Sequence, residues 1–371
     1  MSALFHSYLC GRIAAEWLII MNSVERVMAA LNHQIPDKVP YAYGYIHPKV
    51  REAILGEKIP SRGYKVNWSP VFAPGEKCRD LNPDESTDVR VARKLGLDAL
   101  GFQLLTPMTP LLESKPDGTY GIKGGLLRPD NLAEFKKGMP DVDDETLYAE
   151  AEDFVKRYKG EFALFCRIRL GFSPTLTSIG QKDCISLVKT APDFVKEVVE
   201  FYCGWMEGHI KNLMELGFDF LWDFDDMADK DGPFFTSEEL QDVFLPHMKK
   251  AAEKITIPWI FHSDGDLFDV IDDLMTLGMN GLHPLEPGVM DLKRLKGEYG
   301  QKLCLVGNID MKHIMTSASE DEIEDYIVGC METMGGSGGY IISDSNQVPA
   351  SASAENIMKI SDSVHRNRKI Y

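Results

Sequence analysis

The sequence predicts an α/β fold, a TIM-type (β/α)8 barrel carrying an N-terminal helical extension and insertions after the first and second strands. Three observations lead there. Eight short apolar runs rich in β-branched and aromatic residues recur along the chain, and helix-period segments separate most of them. Strand and helix alternating eight times close into a parallel barrel more readily than they spread into an open sheet. Finally, the 371 residues exceed the roughly 250 of a plain barrel, and the surplus lies early in the chain.

The opening stretch is apolar, but Arg12 and Glu16 interrupt it and neither a cationic start nor an A-x-A site frames it. Residues 1–21 therefore read as an added helix or a misplaced start, and residues 22–371 as one barrel domain. Asn22-Ser-Val-Glu25 has the pattern of a capping box and opens an amphipathic helix over 24–31. The strand-like runs are residues 39–43, 97–104, 162–170, 218–224, 257–262, 281–285, 303–308 and 339–343. Helical spacing covers 191–216, 237–255, 267–277, 292–299, 319–334 and 354–364. The surplus falls at 56–93 and 107–158, and Lys115-Pro-Asp-Gly118 reads as a hairpin turn inside the second insertion. Gly335-Gly-Ser-Gly-Gly339 precedes a strand rather than opening a helix, which makes it a connector more than a phosphate cradle.

Forty Lys and Arg against 57 Asp and Glu give a net charge of −17, which repels phosphate backbones and anionic lipid surfaces. Nucleic acid and membrane are thus excluded as expected partners. Hydrophobic residues at 44% and charged residues at 26% suit a folded globular chain with a sizeable core. The seven cysteines are scattered with no C-x-x-C, as expected for reduced thiols in the cytoplasm.

In such a barrel the chemistry sits at the C-terminal ends of the strands, so the polar residues that follow each run are the candidates. They are Tyr43 and His47; Gln103; Arg167 and Arg169; Asp223, Asp225 and Asp226; His262 and Asp264; His283 and Glu286; Asn308 and Asp310; and Asp344 and Asn346. His262-x-Asp264 places two potential ligands at one strand end, although Asp264 reads equally as a cap of the following helix. Asp225 and Asp226 form a like-charged pair of the kind that serves as general acid or base, or else a solvated loop. Glu286 completes a tentative metal set with His262 and Asp264, or merely bonds backbone in a Pro-containing turn. His47 reads as a surface residue or as a helix-start residue at the mouth. Arg167 and Arg169 share one strand face, so at least one must meet a carboxylate, from substrate or from the acidic loops.

Arg26-Val-Met-Ala-Ala-Leu-Asn-His33, Pro36-Asp-Lys-Val-Pro40, Gly307-Asn-Ile-Asp310, Tyr340-Ile-Ile and Glu355-Asn356 resemble the uroporphyrinogen decarboxylase superfamily over residues 24–364. That resemblance implies a (β/α)8 barrel from one of two branches, porphyrinogen decarboxylases or cobalamin-dependent methyltransferases. The decarboxylases hold substrate carboxylates with an Arg-rich stretch, where this chain reads Tyr41-Ala-Tyr-Gly-Tyr-Ile-His-Pro-Lys49. Their catalytic Asp, Tyr and His fall on Leu104, Ile179 and Asn346, which argues against porphyrinogen decarboxylation. The thiol-methylating branch holds zinc with His-x-Cys and a later Cys; here His262 is kept, with Asp264 and Asn346 at the cysteine places. Those harder donors suit an oxygen ligand.

The resemblance therefore implies a methyltransferase that takes a methyl group from an O-methyl donor, methoxylated aromatics included, and passes it to the Co(I) corrinoid of a partner protein. No D-x-H-x-x-G corrinoid signature occurs in this chain. The expected roles are His262, Asp264, Asp225 and Asp226 in catalysis, with Tyr43, His47, Gln103, Arg169, Asn308 and Asn346 on substrate. Zinc on His262, Asp264 and Glu286, a pocket shaped by Tyr64, Trp68 and Phe72, and a homodimer complete the expectation. The alternatives are a lyase acting on a small carboxylic acid bound by Arg169, and a binding protein that kept the barrel without its chemistry.

Overall fold

The computed structural model describes residues 20–58, 85–104, 106–114 and 120–369. Residues 1–19, the aromatic trio Tyr64, Trp68 and Phe72, and the turn at 115–118 lie outside them. Seven strands form one parallel sheet: β1 (Ala99–Gln103), β2 (Ala163–Ile168), β3 (Phe220–Phe224), β4 (Trp259–His262), β5 (Gly281–His283), β6 (Cys304–Ile309) and β7 (Tyr340–Asp344). Each is hydrogen-bonded to the next in chain order.

The run at 39–43, expected as a full strand, instead supplies a short closing stave. Tyr41 bridges Ile342 of β7 in parallel, Ala42 N donates to Ile342 O at 3.1 Å, and Ile342 N donates to Pro40 O at 3.0 Å. On the other side Asp98 N, just before β1, donates to Tyr41 O at 2.7 Å. The ladder cannot lengthen, because Pro40 has no N–H and Tyr41 N is taken by the Asp98 carboxylate at 2.9 Å. The curled sheet is thus closed as a (β/α)8 barrel, as the alternation predicted.

Helices follow each strand: Pro192–Leu216 ends the segment after β2, and Leu245–Ala252, Ile271–Met275, Leu292–Tyr299, Glu320–Cys330 and Ala354–Asn367 follow β3 to β7. The insertion after β1 contains an antiparallel hairpin, Pro110–Ser114 with Tyr120–Gly125, as its turn chemistry suggested. The helix Ser23–Leu31 begins with the expected capping box between Asn22 and Glu25.

Period-two alternation along the strands explains where the mouth lies. Inside the ring, Ala163, Phe165, Phe220, Trp222, Ile260, Val306 and Ile341 pack together, and Val27, Ala30 and Leu31 of the N-terminal helix pack against them. Burying a residue such as Phe165 contributes about 2 kcal/mol before entropy is counted. The same inward rows then turn polar or aromatic at their C-terminal ends, with Arg167 after Phe165, Phe224 after Trp222 and His262 after Ile260. Apolar filling below therefore raises the ionisable groups to the top. Away from that end, Arg26 Nη1 and Arg368 Nη1 clamp the buried Asp98 at 2.6 and 2.7 Å, joining the first and last helices to the start of β1.

Candidate active site

β4 ends at His262, and the turn that follows is fixed by a glycine. Gly265 has φ +89°, and a Cβ there would stand 2.5 Å from Asp229 O, so only glycine lets the turn pass the Ala228–Asp229 strand. Asp264 N donates to Asp226 Oδ1 at 3.2 Å and Met227 N to Ser263 Oγ at 2.8 Å, which sews the loops after β3 and β4 together. His262 Nε2 consequently lies 3.3 Å from Asp226 Oδ1 and 3.7 Å from Asp264 Oδ1. Ligand atoms of these three residues all fall within 4.8 Å of one another. Asn346 Nδ2 donates to Asp264 Oδ2, while Asp264 Oδ1 is buried with no hydrogen-bond partner among the described residues.

The protonation of His262 follows from its neighbour. His283, at the end of β5, places Nε2 3.0 Å from the backbone oxygen of Asp344 and Nδ1 2.6 Å from His262 Nδ1. A carbonyl oxygen only accepts, so His283 carries its proton on Nε2 and offers a lone pair on Nδ1. His262 must then donate through Nδ1–H, which leaves its Nε2 facing two carboxylates. Only a positive charge satisfies that point, either a proton on Nε2 or a metal ion.

The proton affinities agree. Burial and the charge of His262 push His283 well below the usual imidazole range, so it stays neutral. Burial also opposes charge on His262, but the hydrogen bond and charge of Asp226, aided by Asp264 and Asp344, outweigh it and raise its pKa. Asp226 resists burial through the same contact and is held down at about 2. Asp264 is pushed up to about 6 by burial and by the charges of Asp226, Glu286 and Asp344, against the pull of His262. The Phe224 ring stacks on His262 at 4.5 Å, and Trp222 meets His283 edge-on at 4.8 Å, fixing both imidazoles.

The other expected site residues are placed as follows. Asp225 is fully buried and accepts from Gly171 N, Phe172 N and Ser173 N at 3.0, 3.1 and 2.8 Å, holding the start of the helix Phe172–Ile179. Arg169 Nη1 donates to Phe224 O at 2.6 Å, and its charge favours ionised Asp223, Asp225 and Asp226. His47 caps the helix Pro48–Leu55, its Nδ1 accepting from Lys49 N at 3.2 Å. Tyr43 is buried with its hydroxyl 2.8 Å from that of Tyr41, which donates to it. Asn308 turns away from the mouth, its Oδ1 3.5 Å from Cys330 Sγ. Glu286 Oε1 pairs with Lys312 Nζ at 3.5 Å, and the structure sets Asp226, not Glu286, beside His262 and Asp264. Gln103 Oε1 accepts from Arg167 Nη1 at 3.2 Å. Tyr45, Arg51 and Phe224, which no strand-end rule selects, also line this end of the barrel.

One imidazole nitrogen and two carboxylate oxygens, one of them unpartnered, make a donor set that fits a divalent cation of borderline or hard character such as zinc. Among the described residues no helix is long and apolar enough to cross a membrane.

Fold and mouth together define a parallel (β/α)8 barrel protein with a histidine–carboxylate centre at the C-terminal end of its sheet. The family model for uroporphyrinogen decarboxylase (URO-D) matches residues 163–367, more than half of the chain, which spans β2 to the last helix. The chain belongs to that family. Among solved structures it is similar to a methyltransferase from Methanosarcina mazei, with 15% identity and a TM-score of 0.70 over 93% of this chain and 99% of that one. It is also similar to a B12-independent methionine synthase from Shewanella sp. W3-18-1, with 11% identity and a TM-score of 0.46 over 77% of this chain and 85% of that one. No curated protein matches the sequence.

Proposed function

We propose that this chain is a methyltransferase that takes a methyl group from an O-methyl donor, aryl methyl ethers included, and passes it to the Co(I) corrinoid of a separate partner protein. The observation that carries the reading is the single cationic point at His262 Nε2, fixed by His283 and flanked by Asp226 and Asp264. Cleaving an ether breaks the C–O bond while the methyl carbon bonds to the attacking nucleophile. The oxygen leaves with both electrons of the broken bond and must be protonated or polarised as it goes.

His262 delivers that positive charge as the proton on Nε2, which Asp226 and Asp264 favour and which solvent restores after transfer. A divalent ion held by Asp226, His262 and Asp264 supplies Lewis acidity to the same oxygen when bound. Asn346 keeps Asp264 oriented, and Phe224 stacked on His262 excludes water from one side of the imidazole. Zinc, the corrinoid partner, a cytoplasmic location and a homodimer belong to this proposal. Asp225 enters it as a positioning residue for the turn over the mouth.

The test has two readouts on wild type and His262→Ala: metal content by plasma mass spectrometry, and loss of free cob(I)alamin absorbance with a panel of methyl ethers. Methyl transfer that disappears in the variant, together with any stoichiometric metal, is the expected result. Wild-type turnover in His262→Ala, or carbon dioxide release with no corrinoid requirement, overturns the proposal, the latter in favour of a lyase.

A further inference from the structure

Two clefts meet at Arg167. One is lined by Tyr45, Arg51, Asp88, Phe102, Gln103 and Arg167 among others; the second shares Gln103 and Arg167 and reaches Arg169 and Phe224. The Arg167 guanidinium carbon lies 5.1 Å from the centre of the Tyr45 ring and 5.4 Å from that of Phe224. Aromatic contact of this kind occupies the faces of a guanidinium and leaves its in-plane N–H edge for a ligand. Nη1 is bonded to Gln103, whereas Nε is buried with no hydrogen-bond partner among the described residues.

The charges do not cancel locally. Arg51, 1% exposed, is ion-paired to Asp88, yet its Nε and Nη2 also lack hydrogen-bond partners among the described residues. No described carboxylate bonds to Arg167: Asp88 and Asp344 favour its charge only through space, and that charge in turn disfavours a proton on His283. Burial lowers the Arg167 pKa to about 10, which leaves it cationic at neutral pH. A desolvated guanidinium that lines a cleft and keeps an unpartnered Nε–H is costly unless a ligand satisfies it. With Arg51 paired to Asp88, one positive charge is left at Arg167 between two aromatic rings, which matches a planar monoanion better than the more highly charged phosphate.

We infer that the cleft at Arg167 is a carboxylate-binding subsite, and that the ligand brought to His262 is a carboxylic acid carrying an O-methyl group. The Phe224 ring touches both ends: it lies beside the Arg167 guanidinium and stacks on His262. A ligand anchored by its carboxylate at Arg167 therefore extends over Phe224 with its far end toward Nε2. Arg169, the other cation of that strand, is already committed to Phe224 O and the aspartates. The subsite stands on its own geometry; only the chemistry at the far end rests on the methyl-transfer reading.

Calorimetric binding of 3-methoxybenzoate, 4-methoxybenzoate and methoxyacetate, set against neutral 3-methoxybenzyl alcohol and inorganic phosphate, tests it on wild type, Arg167→Met and Arg167→Lys. At least one acid should bind wild type tenfold or more tightly than the alcohol, lose tenfold or more in Arg167→Met, and be only partly restored by Arg167→Lys, with alcohol binding unchanged. Thermal melts establish that the variants fold; should Arg167→Met not fold, a loss of acid binding in Arg167→Lys still reports the missing fork. Equal binding of acid and alcohol, no acid bound, phosphate bound best, or acid binding indifferent to Arg167 overturns the subsite. Acid binding through Arg167 without methyl transfer to cob(I)alamin sinks the transfer reading alone. Methyl transfer that ignores Arg167 sinks the subsite alone.

Discussion

Asp264→Asn should make the metal-free protein more stable and inactive. In the folded chain the Asp264 carboxyl is raised from the ordinary 3.8 to about 6, chiefly because burial penalises its charge and Asp226 stands close by. Each unit corresponds to about 1.4 kcal/mol, so the ceiling on the cost of ionising it is about 3 kcal/mol. The side chain is 30% exposed, and solvent screening reduces that to about 1–2 kcal/mol. Because the folded value lies above the unfolded one, the cost is fully present above about pH 6, shrinks as pH falls, and vanishes below about pH 4. Urea denaturation in chelator should therefore find Asp264→Asn about 1–2 kcal/mol more stable than wild type near pH 8 and equal to it near pH 4. With saturating zinc the order should reverse, since only wild type keeps both carboxylates for the ion and binding stabilises the folded state by mass action. A variant less stable than wild type in chelator near pH 8 would refute the reasoning, by making Asp264 a structural residue.

Three further outcomes follow from the same geometry. His283→Phe removes the acceptor of His262 Nδ1–H and frees its tautomer; turnover should fall at least tenfold with little change in KM and a displaced pH profile, and unaltered kinetics would contradict that control of the tautomer. Asp225→Ala strips three backbone N–H groups of their acceptor and should cost about 3 kcal/mol or more in urea, against no shift if solvent replaces it. Gly265→Ala forces a Cβ to 2.5 Å from Asp229 O at φ +89° and should cost about 2–3 kcal/mol, with the loss of His262-dependent activity following from the displaced turn.

The barrel was legible because apolar runs and helical spacing are local, and the strand ends then named His262, Asp264, Asp226 and His283 as candidates by position alone. What the sequence could not supply was direction. Period-two alternation places Asn308 on the same face as Val306, yet the chain turns its side chain to Cys330. The two aspartates after β3 look interchangeable in the sequence, but one meets three helix-start amides and the other meets His262. His47-Pro48 carried the signal of a helix start, and a cap is what it forms. Arg167 and Arg169 share a face, and only the fold separates the one bonded to Phe224 O from the one that lines both clefts with an unpartnered Nε. Tyr45 and Arg51 had no motif, although Tyr45 continues the alternation of Tyr41 and Tyr43 toward the mouth.

The acidic mouth makes sense only when its charges are taken one by one. Asp223 accepts from Leu170 N, Asp225 from the three amides after it, and Asp344 from Gly44 N and Ser343 Oγ, so these three secure the loops around the opening. Asp226 and Asp264 remain, aimed at one imidazole nitrogen whose tautomer a second, neutral histidine dictates. Purely structural packing would have no use for two carboxylates converging on a nitrogen that cannot donate when neutral, because the arrangement is repulsive until a proton or an ion arrives. Placing that demand for positive charge at the sheet's C-terminal end, one aromatic ring away from a guanidinium whose donor edge has no described carboxylate, gives the mouth opposite polarities at its two sides. A ligand that is anionic at one end and leaves through an oxygen at the other satisfies both sides at once.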